Sequence, residues 1–384
     1  MDYFLSEEQV MIRDLARQVA QEKLAPVALQ YDESGEFPWE IMETLAEMDF
    51  FRIFIDEEYG GLGMGVMGLA LATEELSRAC GGMALGFAAT ALGVMPILAA
   101  GSPEQKEKWL PELGTGKSLA AFALTEPDSG SDVTAMKTTA VKDGDYYVLN
   151  GVKHFITNGG VAKLNTIIAQ THPKKGTRGA SAFIVEDGTP GLSYGKKENK
   201  MGIRASVTTE IILEDCRIHK DNLLGKEGTG FPIAIRTLDK ARPGVAAQAL
   251  GIAQGALDHA VKYSRERLQF GKPISSFQGI QWKLADMATQ LEAARALTYA
   301  TARMIDAGVK DISKEAAMSK LFASDTAMAV TTEAVQVLGG YGYMKEYPVE
   351  KLMRDAKITQ IYEGTNEIQR NVIGRHLIKE AASR

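Results

Sequence analysis

Cysteine is almost missing from this chain: Cys80 and Cys216 are the only two. They lie far apart and without metal-ligand spacing, which argues against a disulfide scaffold and fits free thiols in a reducing compartment. Histidine is nearly as scarce. The five histidines, His154, His172, His219, His259 and His376, are scattered and form no metal pair, and neither a Ser/His/Asp order nor a His-x-x-Glu cluster is evident. Positive charge does not prevail either, since 43 basic residues face 49 acidic ones for a net charge of -6. Nucleic acid and anionic membrane surfaces are therefore poor candidates for the main partner. Long hydrophobic runs are lacking too. The longest weakly polar stretch, Met83 to Ala100, is rich in alanine and glycine and contains Pro96, so it reads as a buried helix and not as a membrane span. The opening residues are acidic and show no basic-then-apolar presequence pattern, which leads to the expectation of a cytoplasmic protein.

What the 384 residues do hold is enough apolar material, 45%, for a large core in two or three domains. From Ser6 onward the pattern is helical. Ser6-x-x-Gln9 is a capping-box start, with Met11, Leu15 and Val19 following at a spacing of four. Ser102-Pro103-Glu104-Gln105 supplies a second N-cap, with proline at the first helical position. Between about 122 and 225 the period falls to two, with short strand-like runs around Tyr146, Val152, Leu164, Ser181 and Thr209. Asn150-Gly151, between two of those runs, is a hairpin signal. No helix intervenes, so an antiparallel sheet or barrel is expected, not a doubly wound one. Beyond Gly230, Val245, Ala249, Ile252, Ala256, Ala260 and Tyr263 recur at three and four, as do Leu284, Met287, Leu291 and Ala294, the stripes of a four-helix bundle. The expected fold class is α+β, with an N-terminal helical domain (1–120), a central antiparallel β-domain (121–228) and a C-terminal bundle (229–384).

Several segments could carry chemistry. Gly63-Met-Gly65-Val-Met-Gly68 satisfies the dinucleotide pattern G-x-G-x-x-G, but no βαβ unit surrounds it, so the dinucleotide reading is disfavoured and Gly60 to Gly65 reads as an inter-helix loop. Phe122 to Asp132 is a loop of small and polar residues whose hydroxyls and amides could face a ligand or simply build turns. Leu238-Asp-Lys-Ala-Arg-Pro243 reads as the opening of the first bundle helix, with proline in its first turn. Arg267-Leu-Gln-Phe-Gly271, followed by Phe277-Gln278, is a helix-to-loop break whose guanidinium suits a pyrophosphate. Gln336-Val-Leu-Gly-Gly340 reads as a helix end with a glycine cap. Near the C-terminus, Glu363 stands between the apolar pair Ile361-Tyr362 and the flexible Gly364-Thr365. Burial there would raise its pKa towards the range of a general base working near neutral pH. The same residues also admit a plain helix start, with Asn366 as N-cap and Gln369 completing a capping box.

Taken together, Thr125-Glu-Pro-x-x-Gly-Ser-Asp132, Phe155-Ile-Thr-Asn158, Arg267-x-x-Phe-Gly271 and Asp355-Ala-Lys-Ile-x-x-Ile-Tyr-Glu-Gly-Thr-x-x-Ile-Gln-Arg370 resemble the signature segments of the acyl-CoA dehydrogenases. The resemblance runs over essentially the whole chain. It implies a β-domain held between two helical domains, FAD as cofactor, no metal, and Glu363 as catalytic base. It further implies FAD contacts at Phe122, Leu124, Thr125, Ser131, Phe155, Thr157, Arg267, Phe270, Gln278, Gln336, Gly339, Gly340, Thr365 and Glu367, and acyl-CoA contacts at Ser131, Asp239, Arg242 and Gly364. Phe155 stands where many relatives carry tryptophan. One branch of the family places its base immediately before the arginine matched by Arg242; that place is Ala241 here, which leaves Glu363.

The implied reaction is desaturation of a short- to medium-chain acyl-CoA to the trans-2-enoyl-CoA, with electrons passed to an electron-transfer flavoprotein, or the reverse. A homotetramer is implied in which Arg267, Phe270 and Gln278 serve a neighbour's FAD. An O2-using oxidase on the same fold and a non-catalytic helical binding protein are the competing readings.

Overall fold

The computed structural model describes residues 3–382. Helices α1 (Glu7–Val19), α2 (Ala28–Ser34), α3 (Trp39–Glu47), α4 (Gly65–Ala79), α5 (Gly81–Ala100) and α6 (Pro103–Gly114) form the N-terminal part. Both expected capping boxes are present, at Ser6 with Gln9 and at Ser102 with Gln105. Helices α4 and α5 are buried on nearly every face, which is why their sequences carry little polar striping. By length and composition α5 could cross a membrane, but most of it lies inside the protein. Gly60 to Met64 form a loop before α4, as read from the sequence, whereas Gly65 and Gly68 of the glycine motif already belong to the helix. The Asp306 carboxylate accepts the Val66 and Met67 N–H groups at 2.7 and 2.8 Å. The amides a dinucleotide phosphate would need are thus already bound.

The sheet comprises β1 (Ala120–Ala123), β2 (Thr139–Asp143), β3 (Tyr146–Thr157), β4 (Leu164–Gln170), β5 (Ala180–Glu186), β6 (Leu192–Tyr194), β7 (Thr208–His219) and β8 (Leu223–Leu224). Its order is β6-β7-β3-β2-β4-β5-β8. It is antiparallel except where β4 meets β1 and the end of β2, which run parallel to it. The hairpin expected at Asn150-Gly151 does not form. Those residues lie inside the single strand β3, at a register shift opposite β7, and the Asn150 side chain bonds Asp215 across it. The turn falls instead at Gly144-Asp145, where Gly144 takes the positive φ of 61° that the tight connection requires.

The C-terminal part is α7 (Gly230–Glu266), α8 (Gln278–Asp306), α9 (Ser313–Leu338), α10 (Val349–Ile358) and α11 (Asn366–Ala382). Pro243 is not in a first turn: α7 begins well upstream, and Pro243 is buried in its interior. Proline cannot bond the Asp239 carbonyl there. The helix nevertheless continues, packed against α4, α5, α8 and α9. One apolar core joins the N-terminal helices to the sheet, and a second fills the bundle. A third, small cluster of Leu85, Ala89 and Ile203 with Ile358 and Tyr362 ties α5 and the β6–β7 connection to the segment just before Glu363.

Candidate active site

The turn after α10 carries Glu363 in the left-handed region, φ 51°. It is held on two sides. The Lys320 ammonium of α9 donates to the Gly364 carbonyl at 2.8 Å, and Gln369 donates to the carbonyls of Gly364 and Glu363 at 2.9 and 3.2 Å. Helix α11 then starts with Thr365 as its cap, the hydroxyl accepting the Ile368 N–H. The expected cap, Asn366, is instead the first helical residue, and its buried amide is spent on Lys320, Ser324 and Asp325. The apolar lead-in also departs from expectation. Ile361 is 48% exposed, and Tyr362 alone packs inward, its hydroxyl donating to Gln248.

Glu363 remains partly accessible along its length, while carboxylate oxygen Oε2 is sealed and has no hydrogen-bond partner among the described residues. Burial pushes its pKa up to about 7, with Lys320 and Arg242 pulling in the opposite direction. Burial likewise lowers Lys320 to about 7, against the attraction of Glu363. Arg242, buried on α7, pairs with Asp239 at 2.5 Å, and Asp239 also accepts the Ser313 hydroxyl. One carboxylate poised near neutrality, flanked by two cations and lacking a fixed partner, can accept a proton from a bound carbon acid.

A second group of expected residues gathers on the β-domain. Phe122 and Thr125 are half-buried, Leu124 is buried and Ser131 exposed. The His154 N–H donates to the Thr125 carbonyl at 2.8 Å, so this loop leans on the end of β3. There the register slips between Lys153 and Ile156, and Phe155 takes φ 58°. The ring stands 63% exposed beside half-buried Thr157.

The third group lies apart. Arg267 ends α7, its guanidinium 5.4 Å from the Tyr341 ring centroid. A short hairpin of Leu268–Gln269 and Lys272–Pro273 follows, lifting Phe270 to 91% exposure with φ 55°. Gln278 opens α8 and is exposed. Gln336, Gly339 and Gly340 are exposed at the end of α9, and a methyl group on either glycine would meet open space. Glu367 is exposed on α11. Among the described residues, no hydrogen bond or ring contact joins Arg267, Phe270, Gln278 or Gln336 to the Phe155 group or to Glu363. Sequence reasoning missed Lys320 and read Gln369 only as a capping-box residue, whereas it holds the Glu363–Gly364 turn. The signal for Lys320 was a lysine on the same helical face as Ala316, Ala317, Ala323 and Ala327.

Three family models match the chain: acyl-CoA dehydrogenase N-terminal domain over residues 6–117, middle domain over 121–216 and C-terminal domain over 228–378. An acryloyl-CoA reductase (NADH) of Anaerotignum propionicum is 52% identical over 381 residues, covering 99% of this chain and 96% of that protein. The solved butyryl-CoA dehydrogenase of Megasphaera elsdenii superposes with a TM-score of 0.96 at 49% identity, covering 98% of this chain and 100% of that one. A chain in a structure of the electron transferring flavoprotein of Acidaminococcus fermentans, from work on flavin-based electron bifurcation, gives a TM-score of 0.96 at 51% identity, covering 98% and 99%.

Proposed function

The chain belongs to the acyl-CoA dehydrogenase family, and from that premise we propose that it interconverts a short- to medium-chain acyl-CoA and its trans-2-enoyl-CoA, using Glu363 as the base. The observation that carries this reading is the carboxylate itself, sealed at Oε2, without a hydrogen-bond partner for that oxygen among the described residues, and with its pKa pushed up to about 7. The enzyme is FAD-dependent, as its family is. Features of the fold that fit FAD are the exposed Phe155 beside half-buried Thr157, and the open space over Gly339 and Gly340. Bound FAD supplies the hydride acceptor.

Everything else falls to the protein. Ionised Glu363 takes the α-proton of the thioester. Lys320 and Arg242 limit the rise that burial imposes, because each favours the carboxylate over the acid, so that a share of Glu363 is ionised near neutral pH. Lys320 and Gln369 fix the turn so that the carboxylate need not be reoriented on each cycle. Tyr362, next to the base, packs against Leu85, Ala89 and Ile203, an apolar neighbourhood that supports a short- to medium-chain acyl group. Rates across an acyl-CoA length series, declining beyond medium chains, check this; a maximum at long chains would contradict it.

Electron-transfer flavoprotein is the partner that accepts the electrons, and peroxide formation in its place would mark an oxidase. The relative named as an acryloyl-CoA reductase supports operation in the reducing direction as well. A homotetramer would let the exposed Arg267–Phe270 hairpin complete a neighbour's FAD site. Glu363→Gln is expected to retain FAD and bind acyl-CoA while losing turnover by about four orders of magnitude. Near-normal turnover by that variant would remove Glu363 from the mechanism.

A further inference from the structure

Lys153 is 0% exposed, yet nothing in the proton chemistry uses it. It lies on β3 just before the register slip that exposes Phe155. Its ammonium donates to the Leu124 carbonyl at 3.0 Å and to Glu126 Oε1 at 2.8 Å. Glu126, itself buried, also accepts the backbone N–H groups of Lys137 and Thr138 at 2.6 and 3.0 Å. Its own N–H and carbonyl close a small bridge with Ser129. The neighbouring His154 N–H takes the next carbonyl, that of Thr125. Two successive carbonyls of the Phe122–Asp132 loop are thus turned towards β3.

A peptide is planar and trans, with its C=O and N–H pointing to opposite sides. When the Leu124 carbonyl points at Lys153, the Thr125 N–H of the same peptide must point away from β3. Burying an ammonium is costly unless it is paired. Its pKa is depressed to about 8 by burial despite the Glu126 partner, so the lysine is not retained as a cheap salt bridge.

We infer that Lys153 is a positioning residue for the cofactor: with Glu126 it clamps the loop so that the Thr125 amide faces outward as a donor to FAD. This rests on the reading that the Phe122–Asp132 loop holds FAD.

The test compares the full-length protein with Lys153→Met. FAD is removed and titrated back while flavin fluorescence is followed, and amide exchange is measured in parallel. The variant is expected to bind FAD roughly tenfold or more weakly. Exchange over residues 124–132 should accelerate while β4 and β5 stay protected. If Lys153→Met fails to fold, Lys153→Met/Glu126→Gln leaves no unpaired buried charge and yields the same constant. A folded variant with a lower melting temperature but an FAD affinity within twofold of the parent overturns the clamp. In the unmutated protein FAD is expected to slow exchange over residues 122–131. Absence of that protection overturns the loop reading and the clamp with it, whereas protection combined with unchanged affinity in the variant overturns the clamp alone.

Discussion

Glu363→Gln should make the protein more stable as well as inactive, and the gain should depend on pH. Folding raises the Glu363 pKa from its ordinary 4.5 to about 7, chiefly by burial. Such a group binds its proton more tightly when folded. Its contribution is therefore fully present below about pH 4.5 and is lost as pH rises through 7. The loss amounts to about 3 kcal/mol at alkaline pH. Glutamine never ionises and avoids it. Lys320 and Arg242 lose an attractive neighbour in the variant, which trims the gain to about 1–3 kcal/mol. Urea unfolding with FAD saturating, at pH 8.5 and at pH 5, measures the difference. The variant should be the more stable at pH 8.5, with the advantage falling below about 1 kcal/mol at pH 5. Equal stability differences at both pH values, or a variant less stable at pH 8.5, would refute the assignment of a strained, ionised carboxylate.

Three further outcomes are expected. In Lys320→Met, the acidic limb of the kcat/KM profile should move up by about one pH unit from near 7, because the cation that favours the carboxylate is gone; an unmoved limb would show that Lys320 acts only as a strut. Asp306→Ala should cost about 1–2 kcal/mol in unfolding experiments, since it strips the cap from α4, while FAD affinity stays within twofold. Dilution that dissociates the oligomer should release FAD; a stable monomer retaining it fully would contradict a shared site.

The domain order and the helix starts at Ser6 and Ser102 could be read from the sequence because their signals are local: a side chain and an amide three residues apart decide them. The errors arose where a distant partner overruled a local rule. Asn150-Gly151 has hairpin chemistry, but β7 pairs along the whole of β3 and absorbs both residues into one strand. Asn366 is a good cap by type, yet Lys320 and Ser324 claim its amide and Thr365 caps in its place. Proline stops most helices, but α7 continues through the buried Pro243 with neighbouring helices packed along it. Glu363 was legible as a candidate base through its motif. Its environment was not, because Lys320, Arg242 and Gln369 reach it from three other helices, and nothing in the spacing of those residues announces their meeting.

The burial of α4 has a consequence for synthesis. One of its major packing partners, α7, ends at Glu266, so the ribosome must deliver well over a hundred further residues after α4 has emerged. At about 5–20 residues per second that leaves an apolar helix without a main partner for on the order of 10 s or more. An N-terminal fragment ending before α7 should accordingly be captured by chaperones or aggregate, however well its capping boxes form.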